Sequence, residues 1–593
     1  FSALRKGYSI QKINKATGID AWFLGAISRI VENETLLAQK PLDRPLLLQA
    51  KRLGFSDIAI STLSNKPIEK IRDLRNKWAI SPVFKMVDTC AGEFEAQTPY
   101  FYSTYEEENE ALPIFSHPII VIGSGPIRIG QGVEFDYGSV HAARALRKAG
   151  ESAIMVNSNP ETVSTDFDAS NRLYFEPLDE ESLLDILQNE NQSSLKQKSP
   201  PSVVVQFGGQ TGINLALPLE QKGYSILGSS GKVIDSASDR DKFESFLRQK
   251  KIPYPPGVAV KTLKHAMQAA RQLEYPLLIR PSYVLGGRGM EIVHNDEDFV
   301  LVLEEAFSTQ PGKPVLVDKY FLGREVEVDA VCDGTSVLIP GIMEHVERAG
   351  VHSGDSIAIY PSMSISVEEE AQIIEYTKRI GCGLGIKGLL NIQFVIPGKG
   401  GFVPQTGRQH TLHSSSTVYV IEANPRSSRT VPFISKATGI PLVEIAVNIM
   451  LGKSIKELGF SDGLVKSKGL VAIKAPVFSM SKLIGVDTYL GPEMKSTGEV
   501  MGVDYAFRPA LMKALIAAGL NLPTNGTVLL SLANRDKEQS APLIRALSSS
   551  GYVFYATKGT AAFIESLGIT SKIKTAHKIN EGIPDVTDIL RTN

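Results

Sequence analysis

Asn391-Ile-Gln393-Phe-Val-Ile396 and Val418-Tyr-Val-Ile-Glu422-Ala-Asn424-Pro-Arg426 are short apolar runs broken at alternate positions by polar side chains. Successive strand residues point to opposite faces. Read as the two strands of one hairpin, the runs place Glu422 and Asn424 on a single face, where Gln393 from the facing strand joins them. Three oxygen-bearing side chains, only one of them charged, suit a Mg²⁺ ion that keeps its other positions for phosphate and water, and are poor zinc ligands. Arg426 and Arg429 follow at once, cations of the kind that neutralise a phosphoryl group in transfer. The alternative is an edge strand whose polar positions face water. Residues 397–417 between the runs are polar and rich in Gly, Ser and Thr, so the hairpin is expected to make a long surface excursion there.

Upstream, Tyr275-Pro-Leu-Leu-Ile-Arg280 reads as a strand, and the loop Gly286-Gly-Arg-Gly289 leads directly to another. Such a hairpin can lie over polyphosphate, with backbone N–H groups facing phosphate oxygens and Arg280 as a planar cation. A flexible hairpin with solvated arginines is the alternative. Val315-Leu-Val-Asp318-Lys319 runs on to Glu325, a carboxylate suited to ribose hydroxyls, though a surface acid fits equally. His345 and His352 flank Glu347 without metalloprotease spacing, and only His352 sits in a Gly-rich turn, Ala349-Gly-Val-His-Ser-Gly-Asp355, able to approach a ligand.

From about residue 239 the strands are widely spaced, with helical stretches near 241–250, 263–273 and 367–380, which reads as an α+β unit. Before it, apolar runs at 119–122, 153–156 and 203–206 each end in a Gly- or Asn-rich loop followed by a helical stretch, the layout of a mostly parallel sheet. The loop Gly123-Ser-Gly-Pro-Ile-Arg-Ile-Gly130 is no dinucleotide fingerprint, because Pro126 and the spacing violate it, and it reads as a tight turn. With Asn157-Ser-Asn-Pro-Glu161 and Gly208-Gly-Gln-Thr211 it still marks a ligand edge, since open α/β sheets bind there. Residues 1–112 read as helices. Asp20 caps a segment with Phe23, Ile27, Ile30 and Val31 on one face; 46–53 stops at Gly54; Ile68, Ile71, Leu74 and Trp78 form a stripe. After Pro523 a strand, a helix, a strand and the loop Thr557-Lys-Gly-Thr560 read as a further small α/β unit of two or three strands.

The 593 residues allow about four folding units. Sixty-three Lys+Arg against 64 Asp+Glu leave a net charge of −1, so no whole-chain field exists to hold nucleic acid or an anionic membrane. No apolar run approaches the ~18 residues of a membrane span. Cys90, Cys332 and Cys382 are far apart and form no CxxC pair, which argues against a disulfide framework or a thiolate zinc site and for a cytoplasmic location. Residues 1–7 lack a signal-peptide profile, and the chain reads as one whose beginning is missing.

Val87-Asp-Thr-Cys90, Tyr102-Ser-Thr-Tyr-Glu-Glu107, Arg128-Ile-Gly-Gln-Gly-Val-Glu-Phe-Asp-Tyr137, Asn157-Ser-Asn-Pro-Glu-Thr-Val-Ser-Thr-Asp166, Arg280-Pro-Ser-Tyr-Val-Leu-Gly-Gly-Arg288, Gly350-Val-His-Ser-Gly-Asp355, Glu422-Ala-Asn-Pro-Arg426 and Leu490-Gly-Pro-Glu-Met-Lys-Ser-Thr-Gly-Glu499 together resemble the large chain of carbamoyl phosphate synthetase, in its C-terminal portion. The resemblance spans essentially the whole sequence. It implies an α/β and α+β multidomain protein: a helical oligomerisation domain (1–116), a Rossmann-like pre-ATP-grasp domain (117–237), an ATP-grasp domain (238–465), the end of the synthetase unit with a linker (466–522), and an incomplete methylglyoxal-synthase-like allosteric domain (523–593).

The implied activity is that of an ATP-grasp ligase. It phosphorylates carbamate to carbamoyl phosphate with ATP and Mg²⁺ (or Mn²⁺), the final step of carbamoyl phosphate synthesis for the pyrimidine and arginine pathways. The implied partners are a carbamate-forming N-terminal half, a glutaminase subunit, further copies of the chain and a nucleotide effector. By the same resemblance Arg240, Arg280, Lys319, Glu325, Gly350, Val351, His352 and Ser353 contact ATP, together with Gln393 and Glu422. Gln393, Glu422 and Asn424 hold the metal, and Arg429, Arg426 and Glu422 serve catalysis. Lys537, Thr557, Thr560 and Lys578 contact the effector's phosphate. Ala475 stands where ornithine-regulated members carry glutamate, which points to pyrimidine-nucleotide control. The alternatives are a non-catalytic oligomerising and effector-binding fragment, and an ATP-grasp carboxylate–amine ligase with another acceptor.

Overall fold

The computed structural model describes residues 1–593 except 97, 113–116, 192–199, 282–288, 310–311, 399–416, 481–487, 521–522, 580 and 593. The Gly286-Gly287-Arg288 loop and nearly all of the 397–417 excursion therefore lie outside the described residues. The chain divides into two compact units, Phe1–Ala518 and Gly519–Asn593.

The larger unit begins with six helices. Asp20 caps Ala21–Gln39 by accepting from the Trp22 N–H at 2.7 Å. The expected stripe is displaced at Phe23, which is 58% exposed while its neighbour Leu24 is buried; Ile30 packs against the helical core as expected, beside Leu36 and Leu37. One residue is about 100° around a helix, so the apolar run 22–24 left the inward face ambiguous. Arg44–Arg52 ends as expected, with Gly54 at φ +85°.

The helical expectation for 1–112 fails at two places. Val83–Met86 and Tyr100–Thr104 are strands that pair antiparallel with each other and extend a six-stranded sheet. Phe84 and Phe101 alternate with exposed or half-buried neighbours and pack against Tyr174, so a period of two overrides the helical trend of the preceding residues. Parallel strands Arg172–Phe175, Ser152–Asn157, Pro118–Ile122 and Ser202–Val204 complete this sheet. A buried ionic cluster ties the helices to it: Arg75 donates to Asp57 at 2.9 Å and to Asp185 on the Glu180–Asn191 helix at 3.0 Å.

Two further sheets follow. A four-stranded antiparallel sheet orders Gly257–Val260, Val315–Lys319, Leu277–Pro281 and Glu291–Val293. A nine-stranded sheet carries, in order, Tyr419–Asn424, Lys387–Pro397, Gly323–Asp333, Met343–Arg348, Ala358–Tyr360, Val471–Val477 and Gly498–Asp504, with Val337–Ile339 pairing beside Gly323–Asp333 and Gly463–Leu464 beside Val337–Ile339. Part of 466–522, expected to end the synthetase unit and link onward, is thus strand in this sheet. No single described helix is long and apolar enough to cross a membrane.

The smaller unit has three parallel strands, Thr527–Leu530, Val553–Thr557 and Ile573–Ala576, with the helices Lys537–Ser549, Lys558–Ser566 and Val586–Thr592. Ile544, Phe554, Ala556, Ala561 and Ile564 form its core.

Candidate functional site

The hairpin forms as its alternation requires. Gln393 pairs directly with Glu422 and Asn391 with Asn424, and a bulge beyond Gln393 shifts the register toward the outer end. Gln393 and Glu422 therefore share one face. The amide nitrogen of Gln393 donates to Ser353 Oγ at 3.0 Å. Asn424 is turned otherwise than a metal ligand requires: its nitrogen donates to Glu422 Oε1 at 2.8 Å, and its oxygen accepts from Arg426 at 3.2 Å. A half-turn of that amide would be needed for its oxygen to join the other two. The donor set is all oxygen with a single full charge, which fits Mg²⁺. Among the described residues no group of three or more His, Cys, Asp and Glu could hold a metal ion, so a site here rests on Glu422 with the two amides.

On the next strand, Gly323–Asp333, three acids repeat with a period of two: Glu325, Glu327 and Asp329, all buried. Pairing with Lys387–Pro397 puts Glu327 opposite Gln393 and Asp329 opposite Asn391. His345 from Met343–Arg348 reaches Glu327 at 3.3 Å and stands 3.9 Å from Glu325. Burial pushes the Glu325 carboxyl up to about 7 against the pull of His345, with Glu327 and Glu422 adding repulsion. Its carboxylate accepts from the Gly350 backbone N–H. Gly350 has φ +96°, and a Cβ there would come within 2.8 Å of the Tyr320 ring and 2.7 Å of Ile292, so only glycine lets this turn close. The turn continues through Val351, His352 and Ser353, all half-buried. It is knitted to a later segment: the His352 N–H donates to the Gly491 carbonyl at 2.9 Å, and Asp355 accepts from the backbone of Lys495 and Ser496 at 2.8 Å each. Burial lowers the affinity of His352 for a proton.

Arg240 and Arg280 meet at one carboxylate. Asp318 Oδ2 accepts from Arg240 at 2.9 Å and lies 3.4 Å from Arg280 Nε. Gly257 makes room for this pair, since a Cβ there would fall 2.2 Å from Arg240 Nη2. Lys319, next in the strand, points the other way: its ammonium donates to the backbone carbonyls of Glu274 and Tyr275 at 2.9 and 3.3 Å. Alternation explains this, because Asp318 and Arg280 occupy the face that Lys319 cannot share.

Arg426 and Arg429 are held from helices of the preceding α/β part. Arg426 Nε donates to Gln210 Oε1 at 3.2 Å, in the short helix Gly209–Ile213 that the Gly208–Thr211 stretch forms instead of a loop. Arg429, 8% exposed, donates to Glu134 Oε1 at 2.9 Å and to Ser496 Oγ at 3.0 Å. Glu134 opens the helix Val133–Lys148 just after the first Gly-rich loop. One of the three stretches that marked a ligand edge thus supplies a partner to an arginine, and the helix that follows another supplies a second. Nearby, Lys474 donates to the Ser353 carbonyl at 3.0 Å, and burial pushes Glu499 up to about 7 despite the proximity of Lys474 and Arg429.

Glu134, Glu327, Asp329, His345, Lys474 and Glu499 were not singled out from sequence as site residues. The alternating acids of Glu325-Val-Glu-Val-Asp329 carried a signal for two of them. The others join through pairings of distant segments.

In the smaller unit, Thr557 and Thr560 gather at the start of Lys558–Ser566, with their hydroxyl oxygens 3.3 Å apart, and Lys537 donates to the Gly559 carbonyl at 2.8 Å. Lys578 is exposed, with Glu581 3.9 Å away.

Three family models match in succession. Residues 1–79 match the carbamoyl-phosphate synthetase large chain oligomerisation domain, 116–236 the carbamoyl phosphate synthase preATP-grasp domain, and 239–458 the carbamoyl-phosphate synthase L chain ATP binding domain. The carbamoyl phosphate synthase large chain of Thermomicrobium roseum is 51% identical over 589 residues, which are 99% of this chain and 53% of that protein. The chain therefore spans about half the length of the curated relative it matches. Among solved structures, the biotin carboxylase domain of Hydrogenobacter thermophilus 2-oxoglutarate carboxylase with MgADP, ADP and bicarbonate is 18% identical (62% of this chain, 76% of that one, TM-score 0.47). An ADP complex of N5-carboxyaminoimidazole ribonucleotide synthetase is 13% identical (69% and 97%, TM-score 0.48). Both structural likenesses are remote. The order of the three matched models and the 51% identity place this chain in the carbamoyl phosphate synthase large-chain family.

Proposed function

We propose that this chain carries the ATP-dependent phosphorylation of carbamate to carbamoyl phosphate. A carbamate oxygen attacks the γ-phosphorus of ATP, the bond to the β–γ bridging oxygen breaks, and ADP leaves with that electron pair. The observation that supports this most is the direct pairing of Gln393 with Glu422 beside two arginines, inside the segment matched by an ATP-binding domain model. Phosphoryl transfer asks a protein for position and charge neutralisation more than for a nucleophile.

Glu422 and Gln393, with Asn424 once its amide turns, would hold Mg²⁺, which when bound neutralises phosphate oxygens. Glu325 and the Gly350–Ser353 turn would orient the nucleotide, and Arg240 and Arg280 would meet its phosphates. Arg429, buried and braced by Glu134 and Ser496, would face the charge that develops on the transferred group. The same reading makes the chain one part of a larger assembly, with a carbamate-forming half, a glutaminase and further copies of itself. A nucleotide effector would bind at Lys537, Thr557 and Thr560, with Lys578 reaching its phosphate.

The test is formation of ATP from ADP and carbamoyl phosphate by the folded chain. ATP formation that requires Mg²⁺ is the expected result. Nucleotide binding without any ATP formation would leave the chain a binding fragment.

A further inference from the structure

The loop from Tyr419–Asn424 to the helix Val431–Thr438 carries both arginines, and it is anchored from beneath by one residue that no motif pointed to. Asp329 is 1% exposed. Its Oδ1 accepts from Ser428 Oγ at 2.7 Å and from Asn391 Nδ2 at 2.9 Å, and its Oδ2 accepts from Thr430 Oγ1 at 2.6 Å. The Thr430 N–H donates in turn to Ser428 Oγ at 3.1 Å, which closes the loop on itself. Glu327 backs the arrangement: its Oε1 accepts from Asn391 at 2.7 Å and lies 3.2 Å from the Thr430 hydroxyl. The anchored residues stand immediately before and after Arg429. Fixing both neighbours fixes the direction in which Arg429 leaves the backbone, and its guanidinium is then aimed at Glu134 and Ser496.

A carboxyl group is suited to this task because its two oxygens can each meet a hydroxyl, as they do with Ser428 and Thr430, even though burial and the neighbouring Glu327 push the Asp329 carboxyl up to about 7. A strand is a firmer base than a loop for such an anchor. The acid's partners are Ser428, Thr430 and Asn391, whereas Gln393, Glu422 and Arg426 are bonded elsewhere. We propose that Asp329 is a positioning residue which, through Ser428 and Thr430, sets the aim of Arg429 and so controls the phosphoryl-transfer step without touching nucleotide or metal. This rests on the role given to Arg429 above.

The full chain with Asp329→Ala, Asp329→Asn and Thr430→Val is compared with wild type in three measurements. These are ATP formation from ADP and carbamoyl phosphate, Mg-ADP affinity, and the side-chain Nε–H resonance of Arg429 in arginine-labelled protein, assigned by its loss in Arg429→Lys. Asp329→Ala is expected to lower kcat about 100-fold, the scale of one misplaced charge-stabilising group. Its Mg-ADP affinity should stay within about threefold, since only the transition-state interaction is lost. The Arg429 resonance should move. Asn keeps one acceptor oxygen in place and should recover about tenfold of the lost kcat, with the resonance returning toward its wild-type position. Thr430→Val removes one anchored hydroxyl with little change of volume, and it carries the test if the alanine variant does not fold; a loss of about tenfold in kcat is expected. Equal losses of kcat and Mg-ADP affinity, an Asn variant no better than Ala, or an unmoved Arg429 resonance would each overturn the proposal. If wild type forms no ATP, the phosphoryl-transfer reading falls, and the Arg429 resonance alone still decides whether Asp329 holds that side chain.

Discussion

Arg240 and Arg280 converge on Asp318 within one small antiparallel sheet and the helix beside it, and both keep about a fifth to a quarter of their side-chain surface exposed. Arg426 and Arg429 behave differently: each reaches a separate helix, Gln210 on Gly209–Ile213 and Glu134 on Val133–Lys148, and Arg429 is buried. The first pair is a local device, with Arg240 held by both Asp318 and Glu244. The second depends on two sheets staying in register, since Glu134 and Arg429 are 295 residues apart in the chain. An arginine already satisfied at both ends of its fork is pre-aimed, which is what stabilising a developing charge demands.

The contrast can be broken most directly at Arg429. Arg429→Ala should lower kcat for ATP formation by about 10²–10³ with Mg-ADP affinity little changed; a loss confined to affinity would put both pairs in one class. The next effect concerns stability. Glu499, near Arg429, has its carboxyl raised from 4.5 to about 7 by burial. Between these values the folded chain binds more protons than the unfolded one. The stabilising contribution is thus complete below pH 4.5 and is lost as pH rises through about 7. Removing the charge with Glu499→Gln should therefore raise stability relative to wild type at pH 8, by up to about 3 kcal/mol, and change it little at pH 4.5. Thermal unfolding at the two pH values measures this, and equal shifts at both would contradict it. The smallest effect belongs to the local pair. Asp318→Asn frees Arg240 and Arg280 from a competing anion, and it should alter the KM for nucleotide by about tenfold while leaving kcat near wild type. A drop in kcat instead would mean that Asp318 has a share in the chemistry.

How far the sequence revealed this follows the same division. The hairpin of Gln393 and Glu422 was legible because alternation is local and the two runs are nearly adjacent. Three of the four strands that pair in parallel around Pro118–Ile122 were legible because each ends in a Gly- or Asn-rich loop; Arg172–Phe175, which runs into Glu176-Pro-Leu-Asp179, was not read. Arg280 lies on its strand as read, whereas Lys319, named as an ATP contact only through the resemblance, points to the opposite face because one step along a strand reverses it. The strands 83–86 and 100–104 were read as helix because a helical stretch precedes them, while Arg172–Phe175, the strand through which 100–104 joins the sheet, lies some 70 residues on. Glu327 and Asp329 had a local signal in their alternation with Glu325, whereas His345, Lys474 and Glu499 join the site only once the sheet order is known, and sheet order is set by long-range pairing that no local window contains. The orientation of the Asn424 amide depends on Arg426 and Glu422 together, which spacing cannot specify.

The central claim is that Gln393 and Glu422, paired across two strands, form the seat of the metal that carries the nucleotide's phosphates. Titration of ADP into wild type and Glu422→Ala, each with and without Mg²⁺, tests it directly. In wild type Mg²⁺ should tighten ADP binding by about tenfold or more, and in Glu422→Ala that gain should vanish while metal-free ADP affinity is kept. A Mg²⁺-dependent gain of the same size in the variant would contradict the account.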